Sequence, residues 1–430
     1  MDSSHKAIDS TAKRVQKVYI AQAAFEYFVS LLVTDAYLAK LLTYMGLSDS
    51  LIGIISSLIS FSFLFQLFTI ALTPHIHNTK RTVIIFDTIS QFFFAGIYLV
   101  PLLKIPVALK AIIVITFILI AYFLKYLISS VFFKWVNSFV EPAKRASFSA
   151  LKESISLLSG IIFSLGTGYI VDHFDAINKI EVGFIVLAVV LTVLNGCNLA
   201  SLLLINNEKC KERSNSKINL KIIYQHTIRN RKFMNVVLAS SLYSVAYYIS
   251  TGFMGTFKTS DLMLSVSAVQ IMNMVGSFSR IIISKPFGKF SDRTSYATGF
   301  RVGMLVLAVA YAFNMFSTPE SRWCVAVFTV LQSVSLAGTN QNKINICYNY
   351  VENDFLVYAM AIQNSISGLV GFGASILGGR ILTCIQENGN QFLGINIYGQ
   401  QILSAVSLMI ILITVLFTKI VVEKQERFLQ

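Results

Sequence analysis

Long apolar segments separated by short polar stretches make up most of this 430-residue chain. A helix needs about 20 apolar residues to cross the hydrocarbon layer of a bilayer, which is roughly 30 Å thick. Backbone polar groups in that layer need hydrogen-bond partners within the same segment, so each long apolar run predicts a transmembrane helix. We number twelve such segments in chain order: 18–44, 49–73, 82–103, 108–137, 147–171, 181–205, 232–258, 265–287, 296–317, 322–349, 356–383 and 397–421.

Composition supports this interpretation. Hydrophobic residues make up 55% of the chain and charged residues 13%, whereas about a quarter of a soluble domain is charged. The N-terminal stretch is too polar, and too long before its first apolar run, to be a cleaved signal peptide. The sequence therefore predicts an all-α integral membrane protein with twelve transmembrane helices.

Basic residues indicate the topology. Lys and Arg concentrate in the first tail, in the linker after segment 6 and in alternate loops on the same side. Such residues stay cytoplasmic, so we expect a multi-pass protein of the cell (inner or plasma) membrane with both termini inside. This topology accounts for the net charge of +14 without a nucleic-acid partner.

The two halves of the chain resemble each other. Residues 140–168 align without a gap on 351–379, with ten identical positions that include two pairs of glycines. A shift of 217 residues similarly relates segment 2 to segment 8. Parallel repeats of this kind are typical of carriers with a site near the midplane. We expect two pseudo-symmetric six-helix bundles, arranged as an N-terminal tail 1–17, a bundle 18–205, a basic linker 206–231, a bundle 232–421 and a C-terminal tail 422–430.

One polar stretch between segments 8 and 9 carries a motif. In KPFGKFSDRTSY, Gly288, Asp292 and Arg293 resemble the G-x-x-x-D-R/K signature of the major facilitator superfamily. The resemblance is to transporters of the bacterial type within that family. The twelve segments, the central linker and the six-plus-six symmetry extend this resemblance to the whole chain. The first half departs from the motif, with Ala71 and His75 in place of the Gly and the Asp.

The resemblance implies that the motif latches the cytoplasmic side of the carrier in its outward-facing state. An ordinary polar turn with an orienting arginine is the alternative. We predict a cytoplasmic gate formed by Gly288, Asp292, Arg293, Arg280, Glu153 and Arg145, and we interpret Asp87 in segment 3 in the same way.

Segment 1 contains two acids, Glu26 and Asp35. A charge at mid-bilayer costs about 2.5–3.5 kcal/mol on insertion scales, so an intramembrane acid indicates a functional site. Nine helical steps of 100° place the two acids on opposite faces. A buried carboxyl group can carry a proton near neutral pH. We predict proton coupling at both acids, with structural ion pairs as the alternative.

Segment 4 contributes Lys125, with Tyr122 on the same face. The helical rise places Lys125 at a depth between the two acids of segment 1. This lysine either neutralises one of these acids or binds an anionic substrate, and the sequence leaves both possibilities open.

Neutral polar side chains recur in segments 7 and 10, which line the central cavity in the family. Their hydroxyl and amide groups offer donors and acceptors to a solute, although interhelical hydrogen bonds would use the same groups. We predict that the substrate site includes Lys125, Tyr122, Tyr243, Tyr247, Gln332, Thr339 and Asn342.

These features predict a secondary active transporter that moves a small polar organic solute by alternating access, coupled to protons. A multidrug–proton antiporter is the alternative, followed by a non-transporting sensor or a lipid scramblase on the same fold. The sequence contains no nucleophile–base set, nucleotide loop or metal-ligand cluster that would favour an enzyme. We expect a monomer without cofactor or metal, whose partners are a small molecule, protons and the lipid bilayer.

Overall fold

The computed structural model describes residues 2–72, 76, 78–137, 139–140, 145–205, 220–352, 355–392 and 395–427, and nearly all of them are helical. The α-helices within these ranges are α1 Asp2–Leu32, α2 Asp35–Tyr44, α3 Asp49–Ser56, α4 Leu58–Ser62, α5 Gln66–Leu72, α6 Thr79–Ile97, α7 Val107–Asn137, α8 Arg145–Ala176, α9 Ile180–Leu204, α10 Leu220–His226, α11 Arg231–Thr251, α12 Met254–Thr256, α13 Val266–Arg293, α14 Tyr296–Asn314, α15 Arg322–Tyr348, α16 Leu356–Glu387, α17 Gly399–Phe417 and α18 Glu423–Arg427.

Short turns of other helix types extend several of these elements. The 3₁₀ turns are Phe63–Phe65 and Val100–Leu102, and the π-helical turns are Phe257–Asp261 and Thr418–Val422. A two-residue antiparallel pair joins β1 (Gln391–Phe392) to β2 (Ile395–Asn396).

Each of the twelve predicted segments coincides with helical residues. Within the described ranges, ten helices are long and apolar enough to cross a membrane. The expectation of an all-helical, multi-pass membrane protein is therefore confirmed.

Polar side chains define where several helices begin. Asn230 Oδ1 accepts hydrogen bonds from the backbone N–H groups of Lys232 and Phe233. Ser265 does the same for Ala268 at the start of α13, and Ser295 for Thr298 at the start of α14. These caps satisfy N–H groups that have no partner inside the helix, which ends each loop at a defined residue.

Predicted segment 1 is interrupted between α1 and α2. The Thr34 hydroxyl donates to the carbonyl of Ser30 at 2.8 Å, and Asp35 has a left-handed φ of 48°. Side-chain bonds of this kind compete with the helical ladder. Asp35 thus occupies the first turn of a new helix, where the helix dipole favours a carboxylate.

The chain forms two compact units. Unit 1 contains Met1–Thr34 and Phe68–Lys217, and unit 2 contains Asp35–Leu67 and Ile218–Gln430. Residues 35–67 of the first half of the chain are therefore grouped with the helices of the second half. In unit 1 the buried core centres on Trp135 and Leu202. In unit 2 a larger core contains Phe233, Phe300 and Phe328.

Small residues explain why residues 35–67 belong to unit 2. A Cβ atom on Gly252 would lie 2.5 Å from the carbonyl oxygen of Gly53, and one on Gly368 would lie 2.4 Å from that of Ser60. Small residues let helix backbones approach closely in a membrane. The Ser60 hydroxyl also donates to the Gly368 carbonyl at 2.7 Å, so hydrogen bonds reinforce this packing.

The internal repeat has a structural counterpart in each unit. A Cβ on Gly160 in α8 would lie 2.4 Å from the ring of Tyr27 in α1, and a Cβ on its repeat mate Gly371 in α16 would lie 2.7 Å from the ring of Tyr248 in α11. In each half, the repeated glycine thus leaves space for a tyrosine ring from α1 or α11.

The predicted loop between segments 8 and 9 is shorter than expected. Helix α13 contains Pro286 and continues to Arg293, so Gly288, Asp292 and Arg293 lie in its last turns and not in a loop. The polar composition suggested a turn, but Ser295 caps α14 two residues later and leaves no need for a long connection. Residues 423–427, in the predicted C-terminal tail, form α18.

Candidate functional site

Unit 1 contains an ion pair between two of the predicted site residues. Lys125 Nζ on α7 lies 2.8 Å from Glu26 Oε1 on α1, and the two side chains are 22% and 26% exposed. Lys125 therefore pairs with Glu26, one of the two possibilities that the sequence left open. Such a pair needs further hydrogen bonds to offset the loss of hydration.

A chain of amides extends from this pair to a second acid. Gln22 Nε2 donates to Glu26 Oε2 at 3.2 Å and to Asn198 Oδ1 at 3.0 Å. Asn198 Nδ2 in turn donates to Asp87 Oδ2 on α6 through a short hydrogen bond. We call Gln22, Glu26, Asp87, Lys125 and Asn198 the Glu26 cluster. It contains two carboxylates and one ammonium group.

Aromatic residues lie beside Lys125 and beside a second lysine, Lys152. The Tyr122 ring lies within electrostatic range of Lys125 and packs edge-on against Phe94, with ring centroids 5.0 Å apart. Tyr122 is 7% exposed. Lys152 Nζ lies 3.5 Å from the Tyr19 hydroxyl and 5.3 Å from the centroid of its ring, a cation–π geometry.

Asp35 has a different environment in unit 2. Asn273 Nδ2 on α13 donates to Asp35 Oδ2 at 3.0 Å, and Lys258 Nζ in the π-helical turn lies 3.7 Å from the same oxygen. Lys258 is 3% exposed. We call Asp35, Lys258 and Asn273 the Asp35 cluster. A structural ion pair was the alternative interpretation of Asp35, but the sequence did not identify Lys258 as its partner.

The polar residues predicted along α15 form contacts inside unit 2. We call Gln332, Thr339 and Asn342 the polar stripe. Thr339 is fully buried, with its hydroxyl 3.3 Å from that of Tyr243. Asn342 Nδ2 donates to the Ser291 hydroxyl at 3.0 Å. These two residues join helices, which was the alternative interpretation of the stripe. Gln332 differs, because its Nε2 has no hydrogen-bond partner in the described part of the chain.

Tyr247 and Arg280 lie close to this stripe. The Tyr247 ring is half-buried and stacks on Tyr243, with ring centroids 5.9 Å apart. Arg280 on α13 lies within electrostatic range of both tyrosine hydroxyls. Arg280 therefore lies beside α11, well before the end of α13 at Arg293.

The remaining predicted gate residues are dispersed. Asp292 and Arg293 are exposed at the end of α13, and Asp292 lies beside the Tyr296 hydroxyl. Glu153 is half-buried on α8. The side chain of Arg145, and His75 at the twin position of the motif, lie outside the described part of the structure. A gate role for this set stays a prediction.

Sequence reasoning missed four polar residues that matter for the site. Gln22 and Asn198 are a lone glutamine and a lone asparagine in apolar runs, and amides at such positions were the available signal. Lys258 was assigned to the end of segment 7. Lys343 on α15 is half-buried and has no ion-pair partner among the described residues.

Lys343 has a counterpart in the first half. It lies 218 positions after Lys125, close to the shift of 217 that relates segments 2 and 8. Each half thus contains a lysine in its fourth helical segment, one position out of register with that shift. Lys125 has an acid partner in the described structure, and Lys343 has none.

Comparison with solved structures identifies the fold. A variant of the nucleoside transporter NupG superposes with a TM-score of 0.69 at 13% identity, covering 93% of this chain and 98% of that one. The D-xylose–proton symporter gives 0.67 at 13% identity, covering 93% and 96%. A bacterial homologue of the lysosomal transporter Spinster gives 0.66 at 14% identity, covering 95% and 96%.

The sequence itself matches a family model. No protein of curated function matches the chain significantly, but the model of the Major Facilitator Superfamily matches residues 18–375, most of its length. This match agrees with the helical architecture and with the transporters that share it. The chain belongs to the Major Facilitator Superfamily and is a multi-pass membrane transporter rather than an enzyme.

Proposed function

We propose that the protein is a secondary active transporter that moves a small polar organic solute by alternating access, driven by a proton gradient. It would act as a monomer in the cell membrane, with both termini in the cytoplasm, because the basic residues of the chain concentrate on that side. Gly288, Asp292 and Arg293 would form part of its cytoplasmic gate.

The observation that carries the proposal is the Glu26–Lys125 ion pair and the amide chain behind it. Intramembrane charges are costly and mark ion or substrate pathways. Replacing such a pair with apolar residues would often cost nothing or even stabilise the protein. A cluster with two acids and one lysine also has room for one more proton before it becomes neutral.

The polar groups of unit 2 support a small polar solute. Tyr247 is half-buried, and Gln332 Nε2 donates to no acceptor among the residues that the structure describes. Lys343 would offer an ammonium group to a solute that carries a carboxylate or a phosphate. Thr339 and Asn342 would act indirectly, by holding α15 in place.

Transport assays on the purified protein in proteoliposomes test this function. Sugars, nucleosides, amino acids, peptides and organic acids would be screened with an imposed pH gradient, with protein-free vesicles and Glu26→Gln as controls. We expect at least one solute to accumulate in response to the gradient, and a protonophore to abolish its accumulation.

Other outcomes would overturn the proposal. A solute that only equilibrates, with or without the gradient, would show a facilitator without proton coupling. Extrusion of large apolar dyes in exchange for protons would show a multidrug antiporter. Movement of labelled lipid without any solute flux would show a scramblase.

A further inference from the structure

We infer that Asp87 is the carboxylate that binds and releases the coupling proton, while Glu26 stays ionised against Lys125. This inference rests on the proton coupling proposed above and assigns it to one residue. Asp87 lies on α6 and is 6% exposed. The sequence had suggested a gate role for Asp87 and proton binding at Glu26.

The hydrogen bonds of the Glu26 cluster have a fixed direction. Gln22 Nε2 uses its two hydrogens on Glu26 and Asn198. Because Asn198 accepts on its Oδ1, it must turn Nδ2 towards Asp87. Both ends of the chain are carboxyl oxygens that accept, which a carboxyl group can do whether or not it is ionised. Gln22 and Asn198 therefore place donors between the two carboxyl groups and hold them apart.

The two carboxylates are not equally compensated. Glu26 has an ammonium group at 2.8 Å. Asp87 has no ion-pair partner among the described residues, and its charged neighbours within electrostatic range are Lys125 and Glu26. A proton on Glu26 would leave the half-buried Lys125 without its counter-ion. A proton on Asp87 removes an uncompensated charge and leaves the ion pair intact.

The other titratable groups near the cluster do not compensate Asp87. Lys152 on α8 lies within electrostatic range of Glu26 and contacts Tyr19. Tyr122 on α7 faces Lys125. From α9, the residue that meets Asp87 is the neutral Asn198.

Unsatisfied polar atoms beside Asp87 suit a carboxyl that gains and loses a proton. Gln91, one turn further along α6, lies close enough to interact with Asp87, yet neither of its amide atoms makes a hydrogen bond of good geometry. Its carbonyl oxygen can accept the hydrogen of a protonated Asp87. Gln91 is 1% exposed, so an idle amide at this position is unusual.

Three more buried atoms near Asp87 have no hydrogen-bond partner within the described ranges: Gln22 Oε1, Thr88 Oγ1 and Asn195 Oδ1. Thr88 is adjacent to Asp87, and Asn195 is one turn from Asn198 on α9. Water ordinarily satisfies buried groups of this kind. A hydrated junction would give protons access to Asp87.

The charge of Asp87 acts on Lys125 as well as on Glu26. Lys125 lies within electrostatic range of both carboxylates. With Asp87 protonated, the ammonium group is attracted by Glu26 alone. With Asp87 ionised, it is attracted towards α6 as well, so that proton binding changes how firmly Lys125 is held on α1.

Infrared difference spectroscopy of the purified protein, titrated from alkaline to acid pH without any solute, tests the inference with the proton as the probe. The wild type should gain the C=O band of one buried protonated carboxyl group. Asp87→Asn should lose this band, and Asp87→Glu should shift it. Asp175→Asn, which changes an exposed acid at the end of α8, should retain it.

The result that overturns the inference is a band that persists in Asp87→Asn and disappears in Glu26→Gln, or a wild type without any such band. If Asp87→Asn does not fold, the shift in Asp87→Glu decides between the two carboxylates.

Solute accumulation gives a second readout. For one proton per solute, a pH gradient of one unit supports about tenfold accumulation. Asp87→Asn should reduce this to no accumulation, while exchange of labelled for unlabelled solute stays within about twofold. Gradient-driven accumulation by both the wild type and Asp87→Asn would refute the role of Asp87 but leave the proposed proton coupling intact. A titrating Asp87 band without gradient-driven accumulation in the wild type would refute the proposed coupling alone.

Discussion

The two acids of predicted segment 1 invite comparison, because nine residues separate them and they belong to different units. Each is bound by one lysine and one amide: Glu26 by Lys125 and Gln22, and Asp35 by Lys258 and Asn273. The two clusters differ in the further contacts of these partners. The Glu26 cluster continues to a second carboxylate, whereas the Asp35 cluster pairs one acid with one lysine among the described residues.

This difference separates a charge-balanced contact from one that can titrate. One acid and one lysine neutralise each other, so the Asp35 cluster gains nothing from a proton. Two acids and one lysine retain a negative charge that a proton can cancel. Of the two coupling residues that the sequence predicted, the geometry therefore favours the surroundings of Glu26. We expect Asp35 to hold the start of α2 against α13 and the π-helical turn.

Removing the lysine of each cluster, Lys125 or Lys258, should have the largest effect on stability. Lys125→Ala leaves the half-buried Glu26 without its counter-ion. It should destabilise the protein by about 3 kcal/mol, at the lower end for a buried pair because about a quarter of each partner is exposed. Glu26→Gln should restore the lost stability, because Asp87 then carries the same uncompensated charge as in the wild type, and adding Asp87→Asn should raise the stability further. Lys258→Ala should be rescued by Asp35→Asn alone.

The measurement is the melting temperature of the purified variants in detergent. Lys343→Ala is the matched control, because it removes a lysine from the equivalent helix without stranding an acid in the described structure, and its melting temperature should be unchanged. A Lys125→Ala/Glu26→Gln protein that is as unstable as Lys125→Ala would contradict the pairing of Lys125 with Glu26.

Substitutions at closely packed glycines should have effects of intermediate size on stability, and these effects should differ between the two units. A Cβ on Gly378 would lie 2.3 Å from the Ile249 carbonyl oxygen, whereas one on Gly160 would meet the Tyr27 ring, which can move. Gly378→Ala should therefore cost about 1–3 kcal/mol through overpacking, and Gly160→Ala clearly less.

Gly373→Ala is the control for these variants, because its Cβ would meet nothing within 4 Å. Its better helix propensity should stabilise the protein by up to about 1 kcal/mol. Thermal unfolding in detergent measures all three variants. An equal loss from Gly160→Ala and Gly378→Ala would show that the two helix contacts are equally rigid.

The smallest effect concerns the neutral polar contacts of unit 2. Tyr243→Phe removes the hydroxyl that lies 3.3 Å from Thr339. Interhelical bonds of this kind average about 0.6 kcal/mol, so the unfolding free energy should fall by about that amount. Tyr169→Phe, at an exposed position on α8, should leave it unchanged. A loss of solute binding in Tyr243→Phe beyond this small change in stability would indicate a direct contact with the solute.

Much of the fold could be predicted because it follows from local pattern. Apolar runs of sufficient length have one stable arrangement in a bilayer, so each predicted segment coincided with helical residues. The pattern could not locate the interruption at Thr34, which depends on a hydroxyl bonding back to Ser30. Nor could it show that α13 continues through Gly288 to Arg293, because polar residues at the end of a helix look like a loop.

The candidate site divides in the same way. The sequence by itself determined that charges lie inside apolar helices and that an acid of segment 1 and the lysine of segment 4 reach similar depths, because depth follows from the rise per residue. Only the tertiary structure decided that Lys125 belongs to Glu26, that Asp35 belongs to Lys258, and that Asp87 joins the Glu26 cluster through Gln22 and Asn198. Those choices depend on which helix faces meet, and residues 22, 87 and 198 are brought together by packing that no local periodicity encodes.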